Sequence, residues 1–260
     1  MTVSLIITTY NWSEALNVVL KSVLKQSRLP DEVIVADDGS GIATAECIEE
    51  IGETTSVPIH HVWQEDKGFR AASARNKAIR ASNCDYLVLI DGDMLLHEKF
   101  IEDHLACAQK DTFMQGSRVL LTEEKTADVL SLPENVFRFS FFEKGLKNRK
   151  NTIYSRVLCK LFSKQKKGIR GIKTCNFALY REDAYRVNGF NECFVGWGRE
   201  DSEFVVRLMN AGIARKDVKF SAIAYHLYHR ENTRDSLPLN DKMLQEAILE
   251  KKRWCTKGLQ

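Results

Sequence analysis

Two pairs of residues have the types and the spacing of a metal site. Asp91-Gly-Asp93 directly follows the apolar run Tyr86–Ile90, and two carboxylates that flank a glycine at a strand end can share one hard cation. Such a cation can bridge and neutralise a diphosphate. His226 and His229 stand where a strand that turns into a loop can bring both imidazoles to one metal ion. Each pair also has a structural alternative, an Asp-Gly turn and a histidine pair that does no chemistry.

The segment from Gly196 to Glu203, Gly-Trp-Gly-Arg-Glu-Asp-Ser-Glu, has the composition of a sugar-binding surface. An indole between two glycines stays near a turn, where its face can stack on sugar C–H groups while carboxylates accept hydrogen bonds from hydroxyls. Glu200 and Asp201 would also suit the first turn of a following helix, because acidic groups stabilise the positive end of the helix dipole. For Glu200, this role at the helix start is as good an explanation as sugar binding, but it does not explain the Gly-Trp-Gly segment.

Strand and helix patterns alternate over the first hundred residues. Their order is a strand at 4–9, a helix at 13–25, a strand at 32–36, a helix around 45–51, a strand at 58–63, a helix at 71–81 and a strand at 86–90. Alternation with continuous apolar strands predicts an α/β fold, with a parallel sheet that helices cover on both faces. Ligands bind beyond the carboxyl ends of such strands, and three of the four predicted ends are acidic.

The second half of the chain has a less regular pattern. It predicts a strand at 175–180, a short helix at 181–185, a helix at 200–210, a strand at 222–228 and a C-terminal helix at 241–254. Composition places all of this in one domain, because 260 residues with 44% hydrophobic and 28% charged residues are ordinary globular values.

Composition also bears on the compartment. No apolar run approaches the roughly 20 residues of a membrane span, and the N-terminus lacks the basic region and cleavage site of a signal peptide. The seven cysteines are scattered and form no CxxC pair, which favours reduced thiols in the cytoplasm. Dinucleotide, P-loop and serine-hydrolase motifs are missing, which disfavours those classes.

The positive charge is concentrated in one segment. Residues 144–173 contain 11 Lys or Arg and no Asp or Glu, whereas the rest of the chain is acidic on balance. Apolar residues recur at helical spacing from Tyr154 to Phe162, which predicts a basic amphipathic helix. Such a helix can lie on an anionic membrane, bind an acidic or phosphorylated glycan acceptor, or simply be a solvated face that covers the sheet. The acidic remainder of the surface argues against nucleic acid.

Five motifs in order resemble those of a known family. They are Leu5–Asn11 (LIITTYN), Val33–Ser40 (VIVADDGS), Lys67–Asn76 (KGFRAASARN), Asp91-Gly-Asp93 and Phe190–Phe204. The pattern resembles family 2 glycosyltransferases of the Rossmann-like GT-A fold, which implies a mixed, mainly parallel central sheet flanked by helices in a single domain. The last motif is similar to the signature of β1,4-galactosyltransferases, polypeptide GalNAc-transferases and bacterial chondroitin polymerase domains.

The resemblance divides the chain into four parts. Residues 1–96 would be the nucleotide-sugar-binding half, 97–173 a variable insertion that includes the basic segment, 174–232 the acceptor and catalytic half, and 233–260 a C-terminal helix.

The resemblance also implies ligands and residue roles. The donor would be a UDP-sugar and the cofactor a divalent metal, usually Mn²⁺, with Mg²⁺ as the alternative. At the donor, Thr8, Thr9 and Tyr10 would contact the nucleoside, Asp38 the uracil edge, and Arg70 or Arg75 the rest of the donor. Asp91 would bind ribose or metal, and Asp93, His226 and His229 would bind the metal, with His229 the firmer ligand of the two histidines. Asp201 would be the general base, Glu200 would bind substrate hydroxyls, and Trp197 would be the platform for the acceptor.

The expected reaction is an inverting transfer of a hexose or N-acetylhexosamine, of Gal or GalNAc type, to a glycan or lipid-linked acceptor in cell-surface polysaccharide synthesis. The expected location is the cytoplasm, with peripheral binding at the inner face of the membrane. A carboxylate base should have a working pKa below neutral. The alternatives are a sugar nucleotidyltransferase, which would need a glycine-rich basic triphosphate loop, and a non-catalytic glycan- or nucleotide-binding module.

Overall fold

The computed structural model describes residues 1–131, 138–230 and 233–260. The strands in chain order are β1 (Val3–Thr9), β2 (Glu32–Asp37), β3 (Ile59–Trp63), β4 (Tyr86–Asp91), β5 (Met94–Leu96), β6 (Thr112–Gln115), β7 (Arg118–Leu121), β8 (Leu146–Lys147), β9 (Lys164–Gln165), β10 (Asn176–Tyr180), β11 (Ala214–Asp217) and β12 (Ala224–His226). The α-helices are α1 (Ser13–Leu24), α2 (Ile42–Gly52), α3 (Ala71–Ala81), α4 (Phe100–Cys107), α5 (Glu123–Ser131), α6 (Arg156–Phe162), α7 (Arg181–Arg186), α8 (Glu200–Asn210) and α9 (Leu237–Leu249).

The described residues form a larger sheet of eight strands in the order β3-β2-β1-β4-β10-β6-β11-β9. The first four strands in this order are parallel, and β10 runs antiparallel to both β4 and β6, so the sheet is mixed, as the resemblance implies. The register pairs Thr9 of β1 with Asp37 of β2 and Thr8 with Asp91 of β4. This pairing brings the acidic carboxyl ends of the strands to one edge of the sheet.

Helices cover both faces of this sheet, because alternate residues of a strand point to opposite sides. Leu5 and Ile7 of β1 join Leu16 of α1 in one hydrophobic core. Ile6, between them, joins Ala74 of α3 in the core on the other face. The alternation explains why the central strands read as continuous apolar runs.

A smaller sheet of four strands in the order β5-β12-β7-β8 adjoins the first. Residues of this sheet, including Leu96, Val119 and Tyr225, belong to the same hydrophobic core as Leu5. The segment 97–173 contributes strands to both sheets. The fold is therefore one domain, while the functional boundaries at 96, 173 and 232 stay a prediction.

Two predicted elements in the second half have different bounds in the structure. Helix α9 ends at Leu249 rather than at Trp254, because Lys251 adopts a left-handed backbone with φ of 51°, which terminates a helix. Trp254 lies beyond the helix and is exposed. The last strand covers residues 224–226 rather than 222–228, because Ala222, with φ of 48°, is not extended.

The predicted basic amphipathic helix is also shorter than its apolar pattern. Helix α6 starts at Arg156, because the side chain of Ser155 caps it by accepting a hydrogen bond from the Leu158 N–H. Tyr154 lies before the helix and donates a hydrogen bond from its hydroxyl to Asp103 Oδ1 at 3.0 Å. The apolar side chains at 157, 161 and 162 are exposed.

Candidate active site

A cavity of about 950 Å³ opens at the acidic edge of the larger sheet. It is lined from both halves of the chain. The predicted site residues on its wall are Thr8, Thr9, Tyr10, Asp38, Arg75, Asp91, Asp93, Trp197, Glu200, Asp201, His226 and His229. Arg70 does not line it: its guanidinium binds the carbonyl of Glu65, and its backbone N–H donates to Asp38.

Asp93, His226 and His229 converge on one point of this wall. Each offers one ligand atom, and the three atoms lie within 4.8 Å of one another. The Nε2 atoms of His226 and His229 are 3.5 Å and 3.2 Å from Asp93 Oδ2. The ring centroids of the histidines are 5.1 Å apart, because β12 ends at His226 and the chain then turns back toward Asp93.

The protonation of these groups differs with their surroundings. Burial alone would raise the pKa of Asp93, yet the hydrogen bond from His229 and nearby positive charge hold it below its ordinary value. Burial lowers the pKa of His226 to about 4, so its ring is neutral at pH 7. The hydrogen bond to Asp93 raises the pKa of His229 to about 9.

The three residues fit a divalent metal ion. Asp93 Oδ1 is buried and has no hydrogen-bond partner within the described parts of the chain, and a buried carboxylate oxygen without a partner is costly. One carboxylate and two imidazoles form a donor set that first-row divalent metals accept.

Arg75 connects the predicted donor and acceptor halves beside this trio. Its guanidinium is buried and donates to Thr8 Oγ1, Asp91 Oδ1 and Glu200 Oε1, each at 3.2 Å. Thr8 is the last residue but one of β1, Asp91 ends β4, and Glu200 begins α8. The contacts of Arg75 therefore position three wall residues relative to one another.

Asp201 follows Glu200 in the first turn of α8, facing the same cavity. Its Oδ1 accepts hydrogen bonds from the backbone N–H of Ser202 at 2.6 Å and from its hydroxyl at 3.1 Å. Burial, followed by the negative charge of Glu200, raises the pKa of Asp201 to about 7, although Arg75 opposes the change. The expectation of a pKa below neutral is therefore wrong, because sequence does not show how deeply α8 buries this carboxyl.

The Gly-Trp-Gly segment is held against the start of α9. Gly196 has φ of 76°, and a Cβ there would collide with the Ser236 hydroxyl. Asn240 donates from Nδ2 to the carbonyl of Gly198 at 2.9 Å. Trp197 keeps 38% of its surface exposed, and the Arg234 guanidinium carbon lies 5.4 Å from the centre of its ring. The tryptophan is thus presented to the cavity on a loop that neighbouring residues fix.

The opposite end of the cavity is formed by the first two strands. Asp38 is buried, and its two oxygens accept from Gln64 Nε2 at 2.5 Å and from the Arg70 N–H at 2.6 Å. Burial raises its pKa. The Tyr10 hydroxyl donates to Asp66 at 2.9 Å. These contacts fix polar groups where the resemblance places the nucleoside.

Several residues of the wall carry no sequence signal that we could use. Arg118, Lys147, Lys173, Trp12 and Tyr228 all line the cavity. The three basic residues, Arg118, Lys147 and Lys173, come from the insertion at 97–173. Its strands are two to four residues long, and it contains no family motif from which their position could be predicted. Their placement depends on pairing between distant strands, which local patterns do not reveal.

The mixed sheet flanked by helices is that of a GT-A type glycosyltransferase domain. Residues 4–189 match glycosyl transferase family 2, and residues 157–230 match the N-terminal domain of galactosyltransferase. The chain belongs to glycosyl transferase family 2.

Curated relatives agree with this assignment. The chain is 29% identical to chondroitin synthase of Escherichia coli over 86% of this chain and 34% of that protein. It is 30% identical to validoxylamine A glucosyltransferase of Streptomyces hygroscopicus subsp. jinggangensis over 81% of this chain and 52% of that protein. The chain thus spans about one third to one half of the length of these relatives.

Solved structures support the fold. The crystal structure of S. aureus TarS aligns with a TM-score of 0.64 at 17% identity, over 96% of this chain and 40% of that chain. TarS 1-349 in complex with UDP aligns with a TM-score of 0.63 at 15% identity, over 96% of this chain and 65% of that chain.

Proposed function

We propose that this domain transfers a hexose or N-acetylhexosamine, of Gal or GalNAc type, from a UDP-sugar to a glycan or lipid-linked acceptor in cell-surface polysaccharide synthesis. The observation that carries the proposal is the trio Asp93, His226 and His229, within 4.8 Å, in the same cavity as Asp201. Two comparisons support the donor and the pathway. A neighbour of the same fold has been solved with UDP, and one relative is a chondroitin synthase.

The cofactor would be Mn²⁺, with Mg²⁺ as the alternative, held by Asp93, His226 and His229. When bound, such an ion supplies positive charge that stabilises a leaving diphosphate. Thr8, Thr9, Tyr10 and Asp38 would bind the nucleoside, and Asp91, oriented by Arg75, would contact the ribose or the metal.

Asp201 would act as the general base. It removes the proton from the acceptor hydroxyl, and the oxygen attacks the anomeric carbon as the bond from that carbon to the diphosphate oxygen breaks. Attack from the opposite side inverts the configuration, so one base suffices. Glu200 and Trp197 would hold the acceptor by hydroxyl hydrogen bonds and by stacking.

The site disfavours the two alternative functions, a sugar nucleotidyltransferase and a non-catalytic binding module. A nucleotidyltransferase would need a glycine-rich basic loop after β1, but the residues there are Tyr10, Asn11 and Trp12. A binding module would need no base beside the metal ligands, whereas Asp201 lies in the cavity with a pKa of about 7.

A thermal-shift experiment tests donor and metal together. UDP with Mn²⁺ should raise the melting temperature, because a ligand at one hundred times its Kd stabilises by about 2.7 kcal/mol, and Asp93→Asn should remove the response. Asp201→Asn should keep the response but lose about 10²–10⁴-fold in turnover. A response to GDP or CMP alone would overturn the UDP assignment, and normal turnover by Asp201→Asn would overturn the base.

We further propose that the surface around α6 binds anionic membranes from the cytoplasmic side. Val157, Leu161 and Phe162 are exposed, and exposed lysines at 160, 164 and 167 lie around them. Apolar side chains bordered by cations match the interface of a bilayer that contains acidic lipids. No helix in the described parts of the chain combines the length and apolarity needed to cross a membrane.

Vesicle sedimentation tests this surface. Changing Lys160, Lys164 and Lys167 to Gln should weaken binding to vesicles with phosphatidylglycerol by about a hundredfold, because each cation contributes about 1 kcal/mol near such a surface. Binding should also fall as salt rises. The matched control changes three exposed lysines near the C-terminus to Gln, namely Lys242, Lys251 and Lys257. Equal losses in both triple variants, or no binding by the unmodified protein, would refute the membrane surface.

A further inference from the structure

A second group of charged side chains lines the cavity, and it is positive. This basic wall consists of Arg118 on β7, Lys147 on β8 and Lys173 just before β10. Lys147 and Lys173 are exposed and Arg118 is half-buried. Within residues 1–131, 138–230 and 233–260, none of the three forms a salt bridge with a carboxylate. The Arg118 guanidinium contacts the Cys175 thiol, at 3.6 Å from Nη1 to Sγ.

The register of the smaller sheet places this wall beside the metal ligands. His226 on β12 pairs with Leu120 on β7, and Leu120 pairs with Lys147 on β8. Neighbouring strands are about 4.8 Å apart, so the backbones of His226 and Lys147 are separated by about 10 Å on one face of the sheet. Arg118 precedes Leu120 by two residues and therefore points to the same face.

The basic wall lies in the same cavity as the carboxylates at 91, 93, 200 and 201. A substrate in this cavity would therefore meet both negative and positive side chains. Neutral sugars need hydrogen bonds and stacking, which Glu200 and Trp197 already offer. The Arg118 charge lowers the pKa of Asp93, but none of the three cations is in salt-bridge contact with a carboxylate, so an anion could bind them through charge-assisted hydrogen bonds.

We propose that the basic wall binds a carboxylate or phosphate carried by a saccharide substrate, so that the enzyme acts on an acidic glycan. The inference rests on the proposed function, because that function assigns the cavity to donor and acceptor. The negative group belongs either to the acceptor or to the transferred sugar. Arg118 suits it best, since a guanidinium can bind two oxygens of a carboxylate or phosphate at once.

Pairs of probes that differ in charge test the proposal and separate the two sources. For the acceptor, one pair is a glucuronate-containing oligosaccharide and its carboxyl-reduced form, and a second is an oligomer of polyol phosphate and the free polyol. Both are titrated with UDP and Mn²⁺ present. For the donor, the pair is UDP-glucuronic acid and UDP-glucose, titrated with Mn²⁺. The variants are Arg118→Gln/Lys147→Gln/Lys173→Gln and the control Lys242→Gln/Lys251→Gln/Lys257→Gln.

The unmodified protein should bind at least one acidic probe more tightly than its neutral partner. The wall variant should lose about tenfold or more in affinity for that acidic probe, as expected for lost charge-assisted contacts, and less than about twofold for the neutral one. The control variant should bind both normally. The pair that responds identifies the source. If the triple variant does not fold, Lys147→Gln/Lys173→Gln replaces it, because this double variant changes only exposed side chains. It should show the same selective loss of affinity for the acidic probe.

Two results would overturn the inference. In one, no acidic probe is preferred over its neutral partner by the unmodified protein. In the other, the wall variant loses as much affinity for UDP as for the acidic probe, which would assign the wall to the diphosphate. Failure of the proposed function is distinguishable, because the unmodified protein would then give no Mn²⁺-dependent response to UDP.

Discussion

The pKa of Asp201 gives the proposed mechanism a testable pH dependence. A base with a pKa of about 7 is half deprotonated at pH 7, and at pH 6 only about one tenth of it is available. Because the base must be deprotonated to act, kcat/KM for the donor should fall below pH 7 and level off above it. The charged groups that face Asp201 are Glu200, which raises its pKa, and Arg75, which lowers it.

The pH at which kcat/KM falls to half of its plateau is called the pH limit below. Two substitutions should move it in opposite directions. Glu200→Gln removes the repelling charge beside the base, so the limit should move down by about one unit. Arg75→Gln removes the stabilising charge, so the limit should move up by about one unit. Arg75→Lys keeps the charge and serves as the matched control, with a limit near that of the unmodified enzyme.

The assay is kcat/KM for the UDP-sugar between about pH 5 and 9 at saturating Mn²⁺. The UDP-induced thermal shift, measured at each pH, shows whether the metal-dependent complex still forms, so loss of metal is separated from protonation of the base. The reasoning is refuted if both Gln variants move the limit in the same direction. It is also refuted if Asp201→Asn keeps the same limit in its residual activity.

Two further predictions concern the parts that hold the site in place. Gly196→Ala should destabilise the protein by about 1–3 kcal/mol in urea unfolding and raise the acceptor KM, because the new methyl group meets Ser236 and φ stays at 76°. A free energy of unfolding and a KM like those of the unmodified protein would contradict this packing. Arg207→Met should cost about 3–5 kcal/mol, because it leaves Glu203 buried without the partner that now donates from Nε and Nη2 at 2.8 Å. The double change Glu203→Met/Arg207→Met should recover most of that loss, and a double variant no more stable than the single one would contradict the buried pair.

The first half of the fold could be predicted from sequence because its signals are local. The strand at 32–36 is a continuous apolar run between turn residues, and the helix at 71–81 has the alanines that fit close to a sheet, so both bounds agree with the structure to within one residue. The trio of Asp93, His226 and His229 could be proposed for the same reason: Asp93 lies two residues after the end of β4, and the two histidines are near neighbours in the chain.

The rest depends on contacts between distant residues. Arg118 and Lys147 face the cavity because β8 pairs with β7 and β7 with β12, and strands of two to four residues carry no readable alternation. The end of α9 depends on the backbone of Lys251, and the pKa of Asp201 depends on its burial in the cavity wall. A residue's type is local information, whereas its partner strand and its burial are properties of the assembled fold.

Arg75 shows how one buried charge can join a site built from distant parts of the chain. It donates to Asp91, 16 residues away, and to Glu200, 125 residues away. Since a buried guanidinium is costly without partners, the folded state requires both carboxylates to approach it. The positions of the proposed metal-binding edge and of the proposed base beside Glu200 are then set by the same group. In the proposed mechanism, the distance between leaving group and base therefore depends little on the long segment between them, which could carry a different acceptor surface, such as the one proposed for the basic wall.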